Sequence, residues 1–234
     1  MCRLLFVKND YTDMGNIINN FKKQAWTLKY TPFLNQDIDA DYHMDGIGFA
    51  FFYEKKWNVQ KSTDMYFSFH IPPDCKYIIG HLRNKGNCTG NVGYENTHPF
   101  IYHPFVFCHN GKIIDFVKNK EKIMPFILEK YLSQIKGETD SEYIFYLILS
   151  FFDEKNNMMD AILEFKSLMI RKNIFFYGNF IIANEDKVWI TRLSSDENRS
   201  CSLYKDTRNM IISSEPLSDS FELIPLQTII EINL

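Results

Sequence analysis

Helical segments gathered between two blocks of strands constrain this chain most. Cys2 to Val7 reads as a buried strand, and Met14 to Leu28 places Ile17, Ile18, Phe21 and Ala25 along one helical face. Gly46 to Tyr53 and Trp57 to Ser62 read as a hairpin around Glu54-Lys55-Lys56, followed by short apolar runs at Tyr77 to Arg83 and Phe105 to Cys108. Helical patterns then cover Lys118 to Gln134, Thr139 to Phe152 and Met158 to Ile170, and Thr139 with Glu142 matches a capping box. Strands return at Ile174 to Ala183, Lys187 to Leu193, Met210 to Ser214 and Thr228 to Ile232, with a hairpin turn at Asn184-Glu185-Asp186 and a surface loop from Ser194 to Ser200. Strand pairs that close locally, with helices segregated between them, predict an α+β fold in which sheets pack on each other. No linker or internal repeat divides the chain, so residues 2–234 are expected to form a single domain.

Composition narrows the class. At 45% hydrophobic and 24% charged the chain is globular rather than disordered, and 21 Phe with 13 Tyr imply a large packed core. A net charge of -3 without a basic stripe or an aromatic RNA-binding motif points away from nucleic acid. No apolar run is long enough to span a membrane, and the N-terminus lacks the basic and apolar regions of a signal peptide. The five cysteines, Cys2, Cys75, Cys88, Cys108 and Cys201, form no Cys-x-x-Cys pair. Reduced thiols in a cytoplasmic protein are expected, rather than a disulfide framework or a zinc site.

The chemistry gathers at five positions. Removal of Met1 would leave Cys2 with a free α-amine beside its thiol. A thiol ionises near pH 8.5 and an α-amine at about 7.7 to 8.0, so one terminal residue would supply both nucleophile and base. Arg83 ends an apolar strand, where a guanidinium serves either a structural salt bridge or a substrate carboxylate. Asp140 opens a helix, where it compensates the helix dipole or accepts a substrate ammonium. Asn110-Gly111 after a strand is either a hairpin turn or a pair of donors for an oxyanion. The histidines form no metal signature, His98-Pro99 and His103-Pro104 read as loop or strand-edge features, and none is assigned as general base.

Taken in order, these segments resemble the class II glutamine amidotransferases, the N-terminal-cysteine branch of the Ntn hydrolases. The resemblance rests on Met1-Cys2-Arg3-Leu4, His43-Met44-Asp45-Gly46-Ile47-Gly48, Gly80-His81-Leu82-Arg83, Asn96-Thr97-His98-Pro99-Phe100, His109-Asn110-Gly111, Thr139-Asp140-Ser141-Glu142 and Ser213-Ser214-Glu215-Pro216-Leu217. It is greatest to the stand-alone type, similar to the Dug-type glutathione-degradation and ergothioneine-pathway amidohydrolases. The resemblance implies a four-layer αββα sandwich of two antiparallel sheets flanked by helices. It implies Cys2 as nucleophile, Asn110 and Gly111 as the oxyanion hole, and Arg83 and Asp140 as holders of the α-carboxylate and α-ammonium of a γ-glutamyl group. The implied reaction needs no metal or organic cofactor. It cleaves the γ-amide of glutamine or a γ-glutamyl compound through a thioester. A glutaminase subunit working with a separate partner chain, and a catalytically silent binding module, are the alternatives. The chain departs from the family after Arg83, where Asn84 to Gly90 is longer and lacks the family's Ala-Thr pair.

Overall fold

The computed structural model describes residues 2–9, 13–26, 42–86 and 90–234. Met1, the end of the helix expected over 14–28, Cys88 and the middle of the loop after Arg83 lie outside the described residues. Among the described residues twelve strands form two antiparallel sheets. The first has seven: β1 (Arg3–Lys8), β2 (Gly46–Tyr53), β3 (Lys56–Ser62), β4 (Tyr77–Arg83), β9 (Tyr204–Asp206), β10 (Ile211–Ser213) and β11 (Phe221–Leu223). They lie in the order β11-β9-β10-β1-β4-β2-β3. The second holds β5 (Phe100–Tyr102), β6 (Phe105–Ile113), β7 (Phe176–Ala183), β8 (Lys187–Ser194) and β12 (Thr228–Asn233), in the order β12-β8-β7-β6-β5.

Alternation along the strands builds the layers, because successive side chains point to opposite sheet faces. Leu4 and Phe6 of β1 face the second sheet and pack with Val106, Cys108, Ile181 and Ile190. Leu5 and Val7 face the other way, against Phe21 and Ala25. Those two residues belong to or follow α1 (Met14–Lys23), whose Asp13 N-cap accepts from Asn16 N at 3.4 Å. The outer face of the second sheet, with Phe107, Phe180 and Ile182, packs under α4 (Asp140–Lys155) and α5 (Met158–Arg171). The order helix, sheet, sheet, helix is the αββα sandwich. α4 is apolar on nearly every side because it lies between β6 and α5, and it stops at Asn156, which adopts a left-handed cap. Phe107 is fully buried and stacks on Phe145 of α4 at 5.1 Å, so Phe107→Ala would cost about 3–5 kcal/mol.

Four expectations are corrected. The helix over 118–134 is broken into α2 (Phe116–Ile123), a 3-10 turn (Met124–Phe126) and α3 (Glu129–Leu132), because Pro125 cannot continue an α-helix. The turn between β2 and β3 is Glu54-Lys55, both at positive φ (51° and 62°), and Lys56 already belongs to β3. β6 does not end at His109-Asn110-Gly111 but runs through to Ile113, with Asn110 opposite Asn179 and Gly111 opposite Gly178. Asn110-Gly111 is therefore neither a hairpin turn nor a loop. The capping box is also absent: Thr139 is the N-cap by position, yet its side chain makes no cap bond. Glu142 instead accepts from Lys136 N at 3.0 Å and Gly137 N at 2.7 Å. Short strands β5, β9 and β11 carry too few residues to show a periodic signal.

Candidate active site

The same alternation carries polar residues into the inter-sheet layer at one end of the sandwich. Beyond Leu4 the next inward position is Cys2. Beyond Tyr77 and Ile79 on β4 come His81 and Arg83; beyond Val106 and Cys108 on β6 comes Asn110; beyond Ile212 on β10 comes Ser214. Because the strands are antiparallel, these ends coincide: Arg3 pairs with Leu82, and Arg83 with Gly46.

Cys2 is half-buried, and its sulfur is bracketed by the backbone of Asn84. Asn84 N donates to Sγ at 3.4 Å, and Sγ lies 3.6 Å from Asn84 O. Burial raises the thiol above its ordinary pKa; the Asn84 hydrogen bond and the Arg83 charge pull it down, and Asp140 adds to the rise. Both opposite charges therefore act on the sulfur. Asn84 is itself held by its side-chain bond to Tyr42 O at 2.6 Å, and Asp45 accepts from Lys85 N at 2.7 Å. The His-x-Asp-Gly segment thus supports the backbone beside Cys2.

Asn110 reaches across the layer. Its Nδ2 donates to Ser214 Oγ at 3.4 Å, and the same oxygen accepts from Leu4 N at 2.8 Å. Asn110 Oδ1 is buried with no partner among the described residues. His81 makes a second bridge between the sheets, its Nε2 donating to His109 O at 3.1 Å. Burial pushes the His81 pKa down to about 3 and holds His98 and His109 low as well, so all three are neutral at pH 7.

Arg83 and Asp140 are buried, at 3% and 6% exposure. Arg83 donates to Asn91 O at 3.1 Å. Among the described residues no carboxylate lies within 4 Å of it, so the structural salt bridge is not what holds it. Asp140 accepts from Ile113 N at 2.7 Å and from Ser141 Oγ at 3.4 Å, with no basic side chain at ion-pair distance among the described residues. β6 therefore carries Asn110 and Gly111 and also anchors Asp140. Buried charges are ordinarily paired. Here two of opposite sign lie near one thiol, each without a counter-ion from the described chain.

All five residues singled out from the sequence are thus brought to one end of the sandwich. The sequence motif that contains Ser214 assigns it no task, and Asn179, whose Nδ2 donates to Ser202 O at 2.7 Å, lies outside every motif. A polar residue on the inward parity of an otherwise apolar strand is the signal that finds both.

Two stacked antiparallel sheets between helical layers, with a cysteine at the head of a central strand, are the layout of an Ntn hydrolase. A family model of the class-II glutamine amidotransferases matches residues 16–197, and the chain belongs to that family. A Saccharomyces cerevisiae protein described as the probable glutamine amidotransferase DUG3 is 39% identical over 77 residues, 33% of this chain and 21% of its own length. A Haemophilus influenzae protein, likewise described as a glutamine amidotransferase, is 28% identical over 204 residues, 79% of this chain and 60% of that protein. The chain thus spans less than two thirds of the length of these relatives. The solved structure of a glutamine aminotransferase class-II domain protein from Silicibacter pomeroyi superposes with a TM-score of 0.60 at 16% identity, covering 100% of this chain and 95% of that one. Among the described residues no helix is long and apolar enough to cross a membrane.

Proposed function

We propose that the protein is an N-terminal cysteine amidohydrolase that cleaves the γ-amide of glutamine or of a γ-glutamyl compound. The observation that carries this reading is the pair of buried charges, Arg83 and Asp140, flanking the Cys2 thiol without counter-ions from the described residues. A guanidinium fork suits an α-carboxylate and a carboxylate suits an α-ammonium, so the pair fits the head of a glutamyl group.

In this reading Met1 is removed and the freed α-amine of Cys2 takes the thiol proton. The thiolate attacks the γ-carbonyl carbon. Asn110 Nδ2, which keeps a second N–H beyond its bond to Ser214, and the Gly111 N–H stabilise the oxyanion. The protonated α-amine then gives its proton to the departing nitrogen, and a γ-glutamyl thioester remains. Water attacks the thioester, releasing glutamate and restoring the thiol. Because burial raises the thiol pKa, the resting group is protonated and a base is needed.

The test is intact mass of the purified protein before and after exposure to a diazo-ketone analogue of glutamine. Loss of Met1 with one adduct on Cys2 is expected, together with glutamate release from glutamine or γ-glutamyl peptides. Cys2→Ala should keep the fold and lose turnover; surviving turnover would sink the assignment. Arg83→Met and Asp140→Asn should each raise KM more than they lower kcat.

A further inference from the structure

The sandwich is open along one flank. β3 is the last strand of the first sheet and β5 the last of the second, and a groove of about 630 Å³ runs between them. That volume lies in the range of small-molecule sites, roughly 300–1,000 Å³. Its walls include Trp57, Lys61, Tyr94, Phe100, Lys136 and Tyr146.

Lys61 is the fixed element of the groove. Its Nζ donates to Thr97 O at 2.6 Å and lies 4.7 Å from the Tyr94 ring centre and 5.4 Å from that of Phe100. The carbonyl uses one of three ammonium donors, leaving two for another acceptor. Among the described residues no carboxylate comes within 4 Å of the ammonium groups of Lys56, Lys61 or Lys136. The buried carboxylate in the same wall, Glu142, has both oxygens engaged by the backbone N–H groups of Lys136 and Gly137. Glu95 and His103 are exposed groups in the same lining. The groove therefore offers free cationic donors beside aromatic faces.

We propose that this groove binds a small organic anion with a flat apolar part, its charge on Lys61 and its ring against the exposed Tyr94. The site is separate from Cys2 and does not depend on the hydrolase reading. Thr97, which orients Lys61, also packs over Gly46, where an added Cβ would meet Thr97 Oγ1 at 2.8 Å. Thr97 thus links Lys61 to Gly46, the residue paired with Arg83. Burial holds Lys61 down at about 8, with Glu142, Cys108 and Glu95 favouring its charge and Lys136 opposing it. Anion binding should therefore weaken as Lys61 loses its proton.

The full chain is titrated with naphthoate by calorimetry and tryptophan fluorescence, with uncharged naphthalenemethanol as comparison. One naphthoate per chain is expected, and no saturable binding of the alcohol. Lys61→Met, which keeps the aliphatic stem, should weaken binding by about tenfold or more. Wild-type affinity should fall between about pH 7 and about pH 9, and that fall should be absent in Lys61→Met. Absence of saturable naphthoate binding, or equal affinity in Lys61→Met, would overturn the proposal. If Lys61→Met does not fold, the exposed Tyr94→Ser decides: binding weaker by about threefold or more supports the site, and unchanged binding refutes it.

Discussion

Arg3 and Glu215 form an ion pair of 3.3 Å from which water is almost excluded, their side chains keeping 4% and 5% exposure. Arg3 follows the candidate nucleophile and Glu215 follows Ser214. The Arg3 guanidinium also reaches Cys2 O at 3.5 Å, and Gln24 Nε2 donates to Glu215 O at 3.4 Å. The pair ties the head of β1 to the segment after β10 on the face opposite the thiol.

Removing one partner of a buried pair leaves a bare charge, at a cost of about 3–5 kcal/mol. At pH 8, where the Glu215 carboxylate is ionised, Glu215→Ala should lower the unfolding free energy by that order in urea titration, and Arg3→Met with Glu215→Leu should recover most of it. Burial pushes the Glu215 carboxyl up to about 7, with Arg3 pulling it back. The folded protein then holds a proton that the unfolded chain releases near pH 4.3, so this group's contribution falls as pH rises toward about 7. Subtracting the Glu215→Gln stability curve from the wild-type curve isolates this slope; a flat difference would rule it out.

Asn110 and Ser214 should act as a unit. Asn110→Ala is expected to lower kcat by about 10²–10³-fold with little change in KM, the signature of a donor used at the transition state. Ser214→Ala strips the acceptor from Leu4 N and from Asn110 Nδ2, leaving a buried N–H unpaired at about 1–3 kcal/mol. Both single variants and the double variant are compared by kcat. If Ser214 works by aiming Asn110, the double variant should be little worse than Asn110→Ala alone; simple multiplication of the two losses would mean they act separately.

Cys2, Arg83 and Asn110 were legible because each is the polar end of an apolar strand, and strand parity delivers them to one layer; Asp140 comes instead from the head of α4, and Gly111 from the other parity of β6. Their structural settings were less legible. Asn110-Gly111 has turn chemistry, yet β6 continues through it because β7 offers Gly178 at the matching register position. Glu142 has capping-box spacing, yet it turns to Lys136 and Gly137, neighbours set by the turn before α4. The Arg3–Glu215 pair spans most of the chain, and no local pattern links its partners. Local periodicity encodes which face a side chain takes, whereas its partner across the layer depends on the packing of both sheets.

The buried histidines should set the acid limit of stability. His81 and His98 stack at 4.1 Å, and His98 has no hydrogen-bond partner for either ring nitrogen among the described residues. Burial holds both pKa values, and that of His109, below the ordinary value near 6.5. Their contribution is complete above about pH 6.5 and is lost as pH falls toward the folded values, because the unfolded chain takes up protons first. His98→Phe should keep or raise stability at pH 7 and lessen the loss at pH 5. Urea midpoints at the two pH values decide; an unchanged loss would show that His98 does not carry it.

Gly111 and Gly178 are glycines for different reasons. They face each other across β6 and β7 with the His109 imidazole over both. A Cβ on Gly111 would collide with backbone, Tyr177 O and the Gly178 Cα, whereas a Cβ on Gly178 would chiefly meet the His109 ring. Backbone cannot step aside but a side chain can be removed. Gly178→Ala is expected to cost about 1–3 kcal/mol through overpacking. His109→Ala destabilises in its own right, since it opens a cavity and leaves Ser141 Oγ without its 2.9 Å contact to Nδ1. Combined with Gly178→Ala, however, it should cost less than the sum of the singles, because the added methyl enters the vacated space. Combined with Gly111→Ala it should give little such relief. Urea denaturation of the two cycles separates the cases, and equal coupling in both would refute the assignment of ring to one glycine and backbone to the other.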